Sequence, residues 1–427
     1  MLIYVEFITE RLLYTLNFVL RDREVQFRLT NDSTYFKNAI EPKFNYSNTE
    51  FEGALQIRPA TLLFDDQLYR ETPQIGEFHQ TDCLQFDNIA DLLASVFYVL
   101  SRMEEYNSTQ RDHLDRFMAR GSLLSKAGWL QTPICDIWSE AFITFLNNQL
   151  QVDLKAKKPA FHFQPTFDID NTFAFAHKNK LRSFLAQTKD LFYQRKERAQ
   201  DRRKVRSGLA TDPYDTFDTI ANIAIQYPQT KVFWLLGNYT SKDKNLSHLN
   251  EAQQVKIKKI AAETEIGIHL SSITALDFKQ MQIECERLAQ ITGQTTLSNR
   301  QHYLMHTLPQ TYLLLLKAGI RHDYTMGYAE QTGFRAGTAR TFPWFNLLKN
   351  EVTELNIHPF MYMDGTLKEY LELTNDAAKQ RIRDLYKEVK RFGGTFSFLW
   401  HNETIGGYQQ WADYQEVFYE NFKLYEQ

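Results

Sequence analysis

The sequence predicts an α/β protein in two parts, the second built on a mainly parallel sheet of about seven strands, enough to roll into a barrel. Three observations lead there. From residue 160 onward, strand patterns alternate with helix patterns, which is the order a parallel sheet requires. The texture changes near residue 155, where the basic, proline-marked stretch LKAKKPA (154–160) closes a helix-rich first third. Several of the later strand patterns end on a residue able to do chemistry.

Taken in chain order, the opening MLIYVEFITERLLYTLNFVL reads as a strand and then a helix; with Glu6, Glu10 and Arg11 and no basic leader it does not fit a secretory signal. Ile89, Leu92, Leu93, Val96, Phe97 and Leu100 fall at helical spacing, with Asp87 or Asn88 as the expected cap. That stretch contains Asp91 and falls short of the roughly 20 residues that span a bilayer, so no membrane span is expected. The boundary at 154–160 separates an N-terminal α/β companion domain, 1–155, from a second domain, 156–427.

Composition sets the outer limits. The 427 residues are 43% hydrophobic and 24% charged, which excludes a disordered or fibrous chain. With 32 Phe, 22 Tyr and 6 Trp against 17 Gly and 11 Pro, the chain has ample packing material and few long loops. A net charge of -3 argues against a dedicated polyanion binder. Cys83, Cys135 and Cys285 are odd in number and widely spaced, so buried thiols in a reducing, cytoplasmic setting are expected.

In the second part the strand candidates are FHFQPTFDID, KVFWLLG, EIGIHL, GIRHDYT, TGFRAGT, VTELNIHPF and TFSFLWH, alternating with helices such as HLNEAQQVKIKKIAAET and NDAAKQRIRDLYKEVKRF. They end on Asp168 and Asp170, His269, Asp323, Arg335, His358 and His401, and in parallel sheets the carboxyl ends of strands form the site. Along 166–170, strand alternation puts Thr166, Asp168 and Asp170 on one side and Phe167 and Ile169 on the other. Two carboxylates so close in a buried setting call for a cation, and a bound metal explains them better than a surface turn. His269 supplies a nitrogen suited to zinc or a similar divalent ion. His401 is a candidate proton donor.

The basic run RKERAQDRRKVR (195–206) reads as a solvated helix face; the alternative, a nucleic-acid or anionic-surface role, lacks interleaved aromatics. No G-x-S-x-G elbow and no G-x-x-x-x-G-K-[ST] loop is present, which removes the usual serine-hydrolase and P-loop readings.

These motifs together carry a family resemblance. TFDID, IGIHLSS, GFRAG and Leu399-Trp400-His401 resemble, in order, the aspartate, histidine, arginine and L-x-H motifs of the NodB-homology polysaccharide deacetylases, carbohydrate esterase family 4. ASVFYVLSRMEEY, NRQHYLMH, DYTMGYAEQTGFRAGT, HPFMYMDGTL and WHNETI resemble a bacterial branch with an N-terminal companion domain. The resemblance implies a distorted (β/α) barrel of about seven strands that removes acetyl groups from an N-acetylated saccharide with a divalent metal, zinc in the first instance. It implies Asp168 as general base, Asp170 and His269 as metal ligands, Arg335 as the group orienting the base and His401 as general acid, with Asp364 holding His401.

The chain departs from the family pattern twice. The aspartates are separated by Ile169, which leaves open which of them binds metal, and Ile273 stands where a second histidine is usual. His302 in RQHYL is the replacement ligand that resemblance to the branch implies. The alternative readings are a non-catalytic saccharide-binding or scaffold protein on a degenerate barrel, and a metal-dependent hydrolase of another bond.

Overall fold

The computed structural model describes residues 1–426. Its opening strand pattern forms β1 (Leu2–Tyr4), which pairs in parallel with β2 (Arg28–Thr30) and β3 (Lys43–Tyr46); β4 (Leu55–Ile57) completes the order β2-β1-β3-β4. The helix Glu10–Val19 starts where the Thr9 hydroxyl accepts from Leu12 N. An antiparallel meander follows, β5 (Gln74–Phe78), β6 (Thr81–Phe86) and β7 (Ile89–Ala90).

Here the expected helix start is corrected. Asp87 (φ 50°) and Asn88 (φ 68°) are both left-handed and make the tight turn between β6 and β7, a conformation that Asp and Asn tolerate better than most residues. The helix, Leu92–Leu100, is capped instead by Asp91, which accepts from Leu93 N and Ala94 N at 2.9 and 3.1 Å. The same carboxylate accepts from Tyr46 Oη and Ala60 N, so one buried acid ties helix, sheet and loop together.

The second part holds an eight-stranded sheet: β8 (Phe161–Ile169), β9 (Lys231–Leu235), β10 (Ile266–Leu270), β11 (Ser298–Gln301), β12 (His322–Asp323), β13 (Phe342–Asn346), β14 (Glu351–Ile357) and β15 (Gly394–His401). The order is β13-β14-β12-β11-β10-β9-β8-β15, parallel throughout except for β13. The sheet curls until the chain after β14 reaches its other edge: Met361 N donates to Ser397 O and Leu399 N to Tyr362 O, both at 3.0 Å. Seven parallel strands thus make a distorted barrel. The strand β11 has no apolar run because its four residues are polar, yet all are buried. Their side chains are satisfied laterally, as when Asn299 Nδ2 donates to Asp323 Oδ1 at 2.8 Å.

The expected TGFRAGT strand is absent. Gly333 (φ 124°) and Gly337 (φ 66°) take backbone conformations that a strand excludes, and the segment runs as turns pressed on the first part. A Cβ at Gly333 would lie 2.3 Å from Leu130 O, so glycine is needed for the close approach. Beside this loop, Tyr14 and Phe97 pack on Phe345 with ring centroids 5.2 and 5.0 Å away, and apolar packing continues from the first part into the second. Among the described residues no helix is long and apolar enough to cross a membrane, and Cys83, Cys135 and Cys285 are unbonded thiols.

Candidate functional site

Register assembles the site. The pairing of β8 with β15 sets Asp168 beside His401, and that of β10 with β11 sets His269 beside Arg300. Asp168, His269 and His401 leave neighbouring strands and meet in a cleft of about 400 Å³, lined also by Asp170, Gln301, His302, Tyr303, Asp364 and Glu403.

At its floor Asp170, His269 and His302 offer one ligand atom each, all within 4.8 Å of one another. His269 Nε2 lies 3.2 Å from Asp170 Oδ1, and His302 Nε2 lies 3.2 Å from Asp170 Oδ2. Each imidazole is fixed from behind: His269 Nδ1 donates to Arg300 O at 2.9 Å, and His302 Nδ1 lies 2.7 Å from Asp243 Oδ1. Such outer partners turn the Nε2 atoms inward and raise their basicity. Asp243 is itself anchored, accepting from Ser272 N and Oγ at 3.0 and 2.7 Å.

This donor set fits a divalent ion. Asp170 Oδ1 is buried and accepts no well-formed hydrogen bond although His269 stands beside it, a costly state for a carboxylate unless a cation is shared. Against a desolvation that would raise it, His302 and His269 hold Asp170 well below the usual carboxylate range. Burial would lower His302, but Asp170 and Asp243 push it up to about 9. The chain turns sharply past it: Tyr303 (φ 58°) and Leu304 (φ 57°) are consecutive left-handed residues, and the Tyr303 ring stacks on His302 at 4.1 Å.

The two flanking groups are held as differently charged partners. Asp168 is buried and receives Arg300 Nη1 at 2.8 Å; Arg300 also donates from Nε to Tyr324 O at 2.8 Å and lies over the Phe233 ring at 4.6 Å. His401 Nδ1 is 2.8 Å from Asp364 Oδ1, while Asp364 Oδ2 accepts from His401 N at 2.9 Å. Burial alone would lower His401, but Asp364, aided by Asp170 and Asp168, raises it well above the ordinary imidazole value.

Arg335 is not in the cleft. It donates from Nε and Nη2 to Glu105 at 3.0 and 2.7 Å and from Nη1 to Gly327 O at 2.8 Å, and Glu105 also receives Arg102 Nε at 2.8 Å. The glycine turns on either side of Arg335 hold it against the first part, where a buried acid neutralises it. Arg300 therefore takes the place beside Asp168 that the motif order gave to Arg335. The signal was present in NRQHYL: Arg300 and His302 are two residues apart, so an extended chain points both the same way.

Two other strand-end candidates serve the fold. Asp323 accepts from Thr325, Asn299 and Tyr312, and His358 stacks on Tyr324 at 4.3 Å with burial pushing it down to about 3. Ile273 is 46% exposed in a turn, so the imidazole expected there comes instead from beyond β11 as His302.

Sequence reasoning also missed Asp243, whose loop TSKDKN looks merely solvated, and Glu403, pushed up to about 7 by burial and Asp170 against the pull of His401 and Tyr214. The first part contributes too: Arg116 lines the cleft and donates from Nη1 to Tyr303 O at 3.0 Å.

Comparison with known proteins yields limited likeness. Residues 1–151 match a family of unknown function, DUF7033. No curated protein matches the chain. Among solved structures the chain is similar to a Mycobacterium smegmatis protein assigned as a polysaccharide deacetylase, at 15% identity and a TM-score of 0.40, covering 62% of this chain and 84% of that one. It is similar to Puue allantoinase at 11% identity and a TM-score of 0.33, covering 60% and 83%.

Proposed function

We propose that the protein is a metal-dependent deacetylase that hydrolyses the acetamide of an N-acetylated saccharide. The observation that carries this reading is the convergence of Asp170, His269 and His302 on one point, with an arginine-bound carboxylate on one side and an aspartate-bound imidazolium on the other. A divalent ion of the zinc type held by the three would polarise the acetyl carbonyl and acidify water, and an Asp/His₂ set leaves a position open for both.

The remaining chemistry belongs to the chain. Asp168, positioned by its hydrogen bond from Arg300 Nη1, accepts a proton from the attacking water as its oxygen bonds to the carbonyl carbon. His401, kept as the imidazolium by Asp364, donates the Nε2 proton to the amide nitrogen as the C–N bond breaks, releasing acetate and the free amine. The resemblance of the four motifs supplies the saccharide.

Acetate release from a panel of N-acetylated amino sugars, with zinc or cobalt added and then chelated, tests the proposal. Asp168→Asn should lose about 10²- to 10⁴-fold in turnover while retaining metal by elemental analysis. Metal-supplemented protein that releases no more acetate than this variant over the whole panel would remove the deacetylase reading.

A further inference from the structure

The helices Lys180–Phe192 and Lys196–Arg206 lie in the long excursion between β8 and β9 and, among the described residues, contribute no ligand to the candidate metal cluster. They are joined internally by Asp190, which receives Arg202 Nη2 at 2.6 Å. The first helix buries Ser183 and Asp190, whereas Phe184, Leu185, Thr188 and Phe192 share the opposite, exposed face. Phe184 is 66% and Phe192 79% exposed, and Leu209, just past the second helix, is 81% exposed. Single exposed apolar residues are ordinary; several on one short hairpin mark a contact surface.

Charge narrows the partner. Residues 178–209 contain eleven Lys and Arg against three Asp and Glu, within a chain whose net charge is -3. Asp190 is consumed by Arg202, and Asp201 accepts from the Tyr408 hydroxyl at 3.1 Å. Lys189, Arg195, Lys196, Arg203, Lys204 and Arg206 all face solvent, with Glu197 the exposed acid among them.

We propose that this hairpin docks the protein on an anionic lipid surface, its Phe and Leu side chains entering the headgroup layer and its basic side chains meeting the lipid phosphates. Bulky apolar groups beside Lys and Arg on a helical element are what interfacial binding uses. A nucleic acid would be served by the charges and gives no reason to expose Leu185 and Leu209. The second helix also touches the cleft rim, Arg198 Nη1 donating to Gln409 Oε1 at 3.4 Å, so the docked face adjoins the cleft.

Flotation of the full chain with vesicles tests this without reference to catalysis. The chain should float with vesicles of phosphatidylcholine plus phosphatidylglycerol and stay behind with phosphatidylcholine alone. The exposed double substitution Arg203→Glu with Lys204→Glu should weaken binding by at least roughly 30-fold, and Phe184→Ser with Phe192→Ser by at least about 10-fold, with thermal melting unchanged in both. Absence of flotation with anionic vesicles overturns the proposal. So does binding to a duplex RNA probe that exceeds vesicle binding and ignores the Phe184→Ser, Phe192→Ser change, which would assign the surface to nucleic acid.

Discussion

Asp364→Asn tests the proposed proton donor, His401. The carboxylate sits 2.8 Å from His401 Nδ1 and is fully buried. Two unit charges at that distance attract by about 6 kcal/mol at an effective dielectric near 20, and burial of the imidazolium offsets part of this. What remains favours the protonated ring and holds His401 well above the ordinary imidazole value. A cation bound by Asp170 would offset that residue's share of the effect but leave the Asp364 share in place.

The sign follows from the role: a general acid must carry its proton, so activity is lost as pH rises through the His401 pKa. Removing Asp364's charge lowers that pKa, and the basic limb of the kcat/KM profile for acetate release should move to lower pH. Asparagine retains an acceptor for His401 N and keeps the volume, so the fold should survive, checked by thermal melting. A profile whose basic limb stays in place while turnover falls evenly would show that His401 is not the acid.

Arg300→Ala should cost about 3 to 5 kcal/mol of stability, because it strands the buried Asp168 carboxylate; in denaturant titrations with Asp168→Asn the two changes should couple by roughly 2 kcal/mol, and purely additive effects would sink the pairing. At the candidate metal centre, zinc would have to displace a proton from His302, whose pKa is raised to about 9. Zinc affinity should therefore climb about tenfold per pH unit toward that value, as read by calorimetry in two buffers, and vanish in His302→Ala. A flat affinity across the neutral range would exclude His302 as a ligand.

Much of the site was legible because its signals are local. Alternation along 166–170, His269 in EIGIHL and His401 closing FSFLWH mark the carboxyl ends of parallel strands, and any fold that lays those strands side by side must bring these ends together. The strand β11 was not legible, since Ser298, Asn299, Arg300 and Gln301 have no apolar period and are buried only because neighbouring strands satisfy their polar groups. Likewise, the motif order singled out Arg335 and passed over Arg300. Tertiary structure decides between them: the strand holds Arg300 against Asp168, while two glycine turns press Arg335 onto Glu105 from 230 residues away. A residue's chemistry is written in the chain, but a buried charge acquires its role from the counter-charge that packing brings within hydrogen-bond reach.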